Sequence, residues 1–237
     1  MIGVVKKRLA WCVASLLLVS CGTGAVYAQA ARKDAPAPAP VTPAATTSQP
    51  PISGATAAVE GFRSARFGMT EAEVRSAIIK DLGVKPEAIR SEDNKSEQTH
   101  VLLVKAPEVL AGGGASEVSY VFGFKTKKLI QVGVTWSKAT DDKMTPDQLF
   151  SNSTVLRTHF VSQGYKQDTI ATNMPINGGI LMFRGSDDKD RTTMLILQGS
   201  IAQGENNQRV LTPTALLLFY VADAKTPDVY RLPPGSF

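Results

Sequence analysis

Hydrophobic and polar positions change period several times along this chain, and each change predicts an element. Val74, Ala77, Ile78 and Leu82 fall at helical spacing and give one apolar face to an otherwise charged stretch. Thr70 precedes Glu73 by three residues, so hydroxyl and carboxylate can each satisfy an orphan backbone N–H at a helix start, while Met69 and Val74 can close a hydrophobic staple over that turn. Gly83 is placed as the left-handed stop, and the pattern predicts a helix over Glu71 to Leu82. Met144-Thr145-Pro146-Asp147-Gln148-Leu149 repeats the theme: a staple methionine, a capping threonine, an amide at the third helical position and an apolar residue at the fourth. Pro146 takes the first helical position, where its missing N–H costs nothing. This second helix is expected to end near Gln163, before Gly164, with Leu149, Leu156 and Phe160 inward.

Elsewhere the period is two. Val118, Tyr120, Phe122 and Phe124 alternate with Ser119, Val121 and Gly123; after Lys125-Thr126-Lys127-Lys128 come Ile130, Val132, Val134 and Trp136, alternating with Gln131, Gly133 and Thr135. Both arms together predict an antiparallel hairpin with one buried face. Thr99 to Lys105 reads as a strand, as do Asp168 to Thr172, Gly178 to Phe183 and Thr192 to Gln198. Ala215 to Ala222 is apolar almost throughout, which suits a central strand. Val84 to Gln98 is polar and reads as irregular, and the tail after Pro227 as extended and loosely packed. The predicted fold is α+β and two-layered: an antiparallel sheet with two helices on one face. Two pseudo-repeats and two independently capped helices both fit the recurrence of Met-Thr.

Composition adds an address. The basic stretch Met1 to Arg8 followed by the apolar run Leu9 to Ser20 has the form of a signal peptide, too short to span a bilayer stably. Leu18-Val19-Ser20-Cys21 has the form of a bacterial lipobox, with Cys21 acylated and residues 1–20 removed; Val26-Tyr27-Ala28 offers an ordinary peptidase site that removes 1–28. The apolar run ends directly on Cys21, which favours lipidation there. Residues 21–54 are rich in Ala and Pro, as in Ala35-Pro36-Ala37-Pro38, and read as a tether, leaving 55–237 as a single α+β domain. Loss of Lys6, Lys7 and Arg8 lowers the net charge from +5 to +2, which is no footprint for nucleic acid. Cys12 and Cys21 are the two cysteines, so the domain has neither a disulfide nor a cysteine metal site.

Candidate chemistry is sparse. Gly112-Gly113-Gly114 lacks the lysine of a phosphate loop and the spacing of a dinucleotide fingerprint, and reads as a flexible connection between strands. Asp187, Asp188 and Asp190 lack the glycine and distal glutamate of a calcium hand. His100 and His159, the two histidines, have no sequence-near partner at ligand spacing. A hydrolase would require one of them to meet a carboxylate and a serine or threonine in a cleft. No cofactor, metal or catalytic residue is assigned. Lys125, Lys127 and Lys128, with the rim Gly112, Gly113 and Gly114, are singled out as a partner surface on grounds of exposure and loop freedom.

Phe67-Gly68-Met69-Thr70 followed by Val74, and Leu82-Gly83 with Pro86 three residues on, resemble the start of the small envelope lipoproteins of the SmpA/OmlA (BamE-like) group. The second Met144-Thr145, with Phe122-Gly123-Phe124 between, is similar to the tandem helix-plus-sheet layout of beta-lactamase-inhibitory-protein-like modules. The resemblance implies a two-layer module that acts by binding another protein; the matched residues are folding signals, so it implies no site residue. The expectation is a non-enzymatic envelope protein, anchored through Cys21 and facing the periplasm, that binds a protein partner or supports an envelope assembly. The alternative is a soluble periplasmic inhibitor or small-ligand carrier.

Overall fold

Two capped helices and a run of antiparallel strands alternate along the chain in a computed structural model that describes residues 56–203, 209–232 and 235. The leader, Cys21 and the Ala/Pro-rich segment lie outside the described residues. Helix α1 (Glu71–Leu82) has the bounds its sequence predicts. The Thr70 hydroxyl accepts from the Glu73 amide, the Glu73 carboxylate accepts from the Thr70 amide at 2.7 Å, and Gly83 ends the helix at φ 64°. Its buried stripe is Val74, Ala77 and Ile78. Helix α2 (Pro146–Val161) starts on Thr145, whose hydroxyl accepts from the Gln148 amide at 3.1 Å.

Strands β1 (Gly61–Phe62) and β2 (Ala65–Arg66) form a small hairpin before α1. The main sheet takes β3 (Arg90–Asn94), β4 (Thr99–Ala106), β5 (Ser116–Phe122), β6 (Leu129–Ser137), β7 (Met174–Ile176), β8 (Gly179–Ser186), β9 (Thr192–Gln203) and β10 (Arg209–Val221). Its eight antiparallel strands run in the order β3-β4-β5-β6-β10-β9-β8-β7. Each half has the same plan: a helix, a 3-10 turn (Pro86–Ala88 or Gln167–Thr169) and a four-stranded meander. The halves meet where β6 and β10 pair, with Val134 opposite Leu218. The exposed edges are guarded differently, β3 by Arg90, Glu92 and Asp93, and β7 by brevity and Pro175.

Cross-strand partners share a face, so the registers assign both sides of the sheet. Tyr120 with Val132, and Val118 with Val134, Leu218 and Leu195, join Val74, Ile78, Leu149 and Phe160 in one core cluster under the helices. The opposite face carries Thr135, Leu217, Ile196, Leu181 and Met174 in one cross-strand row, and Gly133, Phe219, Met194 and Arg184 in the next. Phe219 lies over Gly133, where an added Cβ would come within 3.2 Å of its ring. The apolar run of β10 therefore serves a central strand with apolar side chains on both faces.

Several expectations are corrected. Polar residues 90–94, read as irregular, form edge strand β3, because pairing with β4 supplies the ladder whatever their propensity. Residues 168–172 hold the end of a 3-10 turn and a single bridge, Ala171 with Arg184, in place of a strand. Helix α2 stops at Val161 on Ser162, and the Gly164 carbonyl instead accepts from the Ala57 amide of the incoming chain. The Gln148 side-chain amide does not return to the cap; its Nε2 donates to the Gly112 carbonyl and to Asn152 Oδ1. A bulge shifts the hairpin register, so Phe122 faces Leu129 and Ile130 is only half-buried. The tail is not loose: the Phe124 amide donates to the Asp228 carbonyl, and the Tyr230 amide to that of Glu97.

Candidate functional site

The lysine turn singled out from sequence is a built structure. Asp228, arriving from the tail, accepts from the Lys125 amide (2.9 Å), the Thr126 amide (2.9 Å) and the Thr126 hydroxyl (2.7 Å). Burial would raise the Asp228 pKa, but these bonds outweigh it and hold the carboxyl below its ordinary value. Gly123 is required here, since a Cβ would stand 2.2 Å from the Asp228 carboxylate. Lys125 and Lys127 are exposed and Lys128 is half-buried. The Lys127 ammonium lies 5.5 Å from the Phe124 ring centre. None of the three is ion-paired among the described residues.

The glycine rim sits at the other end of β5, six strand steps or about 20 Å away, so it and the lysine turn do not form one surface. It is also less free than its composition suggests. Gly112 is exposed, but Gly113 is buried, with its carbonyl accepting from Asn152 at 2.8 Å. The Ala115 amide donates to Asp141, whose pKa is lowered by that bond and by one from the Lys143 amide. Buried Asn152 is the residue that sequence reasoning missed; on the helical wheel it reads as a polar interruption of an apolar stripe.

His100 does meet a carboxylate. Asp93 stands opposite it in the β3–β4 register, and Nδ1 lies 2.7 Å from Asp93 Oδ1. An ionised carboxylate only accepts, so Nδ1 carries the hydrogen. Nε2 has no hydrogen-bond partner and lies 3.7 Å from a Glu71 oxygen. A cleft of about 390 Å³ opens here, lined by Asp93, Lys95, Thr99, His100 and Lys127 among others. Thr99 precedes His100 on the strand, so its side chain leaves the opposite face, and its hydroxyl is buried without a partner. Imidazole and carboxylate are thus brought together without a hydroxyl in hydrogen-bond reach of Nε2.

The acidic turn is a structural clamp. Asp187, 2% exposed, accepts from the amides of Val59 (3.0 Å), Lys189 (2.9 Å) and Arg191 (3.0 Å) and from the Arg191 guanidinium. Asp190 takes the ammonium groups of Lys166 and Lys225. Among the described residues no cluster of His, Cys, Asp and Glu has the form of a metal site.

A second groove, of about 360 Å³, lies on the helix side between the β1–β2 hairpin and the end of α2. Its floor holds the rings of Phe62, Phe160, Tyr165 and Tyr220, with Tyr220 at 6.1 Å from Phe62 and 6.4 Å from Phe160. Burial raises the Tyr220 and Tyr165 phenols, so both stay protonated at neutral pH. Its rim holds Arg63, His159 and Gln163. Sequence reasoning missed this groove because its walls come from segments about a hundred residues apart.

The arrangement defines a two-layer α+β protein in which, among the described residues, both helices lie on one face of the sheet and no helix lies on the other. No family model, curated protein or solved structure matches the chain.

Proposed function

We propose that this is a non-enzymatic exported envelope protein, acylated at Cys21 and facing the periplasm, whose α+β domain binds a protein partner. The observation that carries the reading is the apolar row on the sheet face that bears no helix among the described residues. An antiparallel sheet covered on one side ordinarily turns polar residues outward. Here Leu217, Ile196, Leu181 and Met174 form an apolar row that runs from half-buried Leu217 through buried Ile196 and half-buried Leu181 to the sheet edge, where Met174 is 48% exposed. Such a row at an edge suits contact with another protein better than contact with water. The lysine turn, clamped by Asp228 yet bearing unpaired ammonium groups, is a second contact in the same reading. The likeness to SmpA/OmlA-type lipoproteins and to tandem inhibitory modules belongs to this proposal and points the same way.

The test is affinity co-purification from envelopes with Met174→Glu, Leu217→Glu and the Lys125, Lys127, Lys128→Glu triple variant, each checked for unchanged thermal unfolding. Loss of the co-purifying partner in Met174→Glu or Leu217→Glu is expected; retention in both removes this sheet face from the reading. Intact mass of the mature protein separates the anchored form, beginning at acylated Cys21, from a soluble inhibitor or carrier beginning at Gln29.

A further inference from the structure

The geometry points to the groove beside Phe62 as a binding site for a small aromatic carboxylate, with the ring on the aromatic floor and the carboxylate on Arg63. The groove lies on the helix side of the sheet, beside the end of α2 and opposite the proposed partner face, so the inference stands independently of that reading.

Charge selects an anion. The lining contains Arg63 and His159 but no aspartate or glutamate. Arg63 forms no ion pair among the described residues: its Nη1 donates to the Asp81 backbone carbonyl, while both Asp81 carboxylate oxygens accept from Ser64 at 2.7 Å. A guanidinium has five N–H donors in a planar fork, so most remain for a carboxylate.

Position is preorganised. Arg63 sits at φ 53° in the tight β1–β2 turn, where Gly61 has no room for a Cβ (2.1 Å from the Ala65 carbonyl oxygen) and Ser64 is fastened to α1 through Asp81. Left-handed backbone in a residue other than glycine is held by its surroundings and marks a place where geometry is enforced. The guanidinium lies 5.5 Å from the Phe62 ring centre, so the cation and the aromatic floor adjoin. Half-exposed Tyr220, between Phe62 and Phe160, offers the surface on which a planar ring can rest.

Size sets the limit. About 360 Å³ is at the low end for ligand sites, which suits one ring and one short acidic arm.

The experiment titrates phenylacetate into the exported, processed protein and follows backbone resonances of Arg63, His159, Gln163 and Tyr220. Saturable shifts at these residues are expected, with acetate and benzyl alcohol each weaker by about tenfold or more, because each lacks one half of the contact. Arg63→Asn, which tolerates the left-handed backbone, is expected to weaken phenylacetate by a similar factor with thermal unfolding unchanged, while Arg63→Lys retains part of the affinity. Absence of saturation, equal binding of acetate, or unchanged affinity in Arg63→Asn would overturn the site. Saturation by an N-acetylated peptide ending in phenylalanine, without saturation by phenylacetate, would overturn it in favour of peptide docking.

Discussion

Replacing Asp187 by alanine tests the physical account of this fold most directly. The carboxylate is 2% exposed and holds together two parts of the chain: the incoming segment at Val59, and the β8–β9 turn through the Lys189 and Arg191 amides and the Arg191 guanidinium. Without it, the Arg191 guanidinium, whose side chain is only 16% exposed, is left without its counter-ion. The Val59 amide, 128 residues away in sequence and buried, loses its acceptor as well. An unpaired buried donor costs about 1–3 kcal/mol and breaking a buried ion pair about 3–5 kcal/mol, so overlapping effects come to about 4 kcal/mol. For an m-value of about 2.5 kcal/mol/M the urea midpoint at pH 7 should fall by roughly 1.5 M. The pH dependence follows from linkage. Burial raises the Asp187 pKa, but the Arg191, Val59 and Lys189 bonds outweigh it, and the folded value lies below 3.8. A depressed carboxylate contributes stability in full above its unfolded pKa and loses it as pH falls through the folded value. The gap between wild type and Asp187→Ala should therefore be widest at neutral pH and close as pH falls below about 4. Equal midpoints at pH 7, or a gap independent of pH, would refute the reasoning.

Three further predictions concern the Asp228 clamp and the α1 cap. Asp228→Ala should cost about 2 kcal/mol in urea unfolding and open the tail to limited proteolysis, since it removes three charge-assisted bonds to the lysine turn. Gly123→Ala should act through the same contact, its Cβ displacing the carboxylate, so the double variant should cost clearly less than the sum of the singles. Thr70→Ala should lower stability by about 1 kcal/mol through loss of the α1 cap, measured by the same unfolding curves, and leave the Asp228 clamp intact.

What the sequence determined by itself was whatever is decided within a few residues. The α1 cap, its Gly83 stop, the Pro146 start of α2 and the alternation of β5 and β6 were legible because each signal and its consequence lie within a turn or a pleat of one another. The central place of β10 was legible too, because a strand flanked on both sides leaves an almost unbroken apolar run. Tertiary structure alone decided the rest. Polar β3 is a strand only because β4 offers its hydrogen bonds, and with β3 unread the Asp93–His100 pair could not be seen. The lysine turn gets its shape from Asp228, about a hundred residues later, and the aromatic groove is assembled from Phe62, Phe160 and Tyr220, which no periodicity connects. Period and capping act along the chain, whereas a site is made where distant segments meet, and that meeting is settled by register and packing in three dimensions.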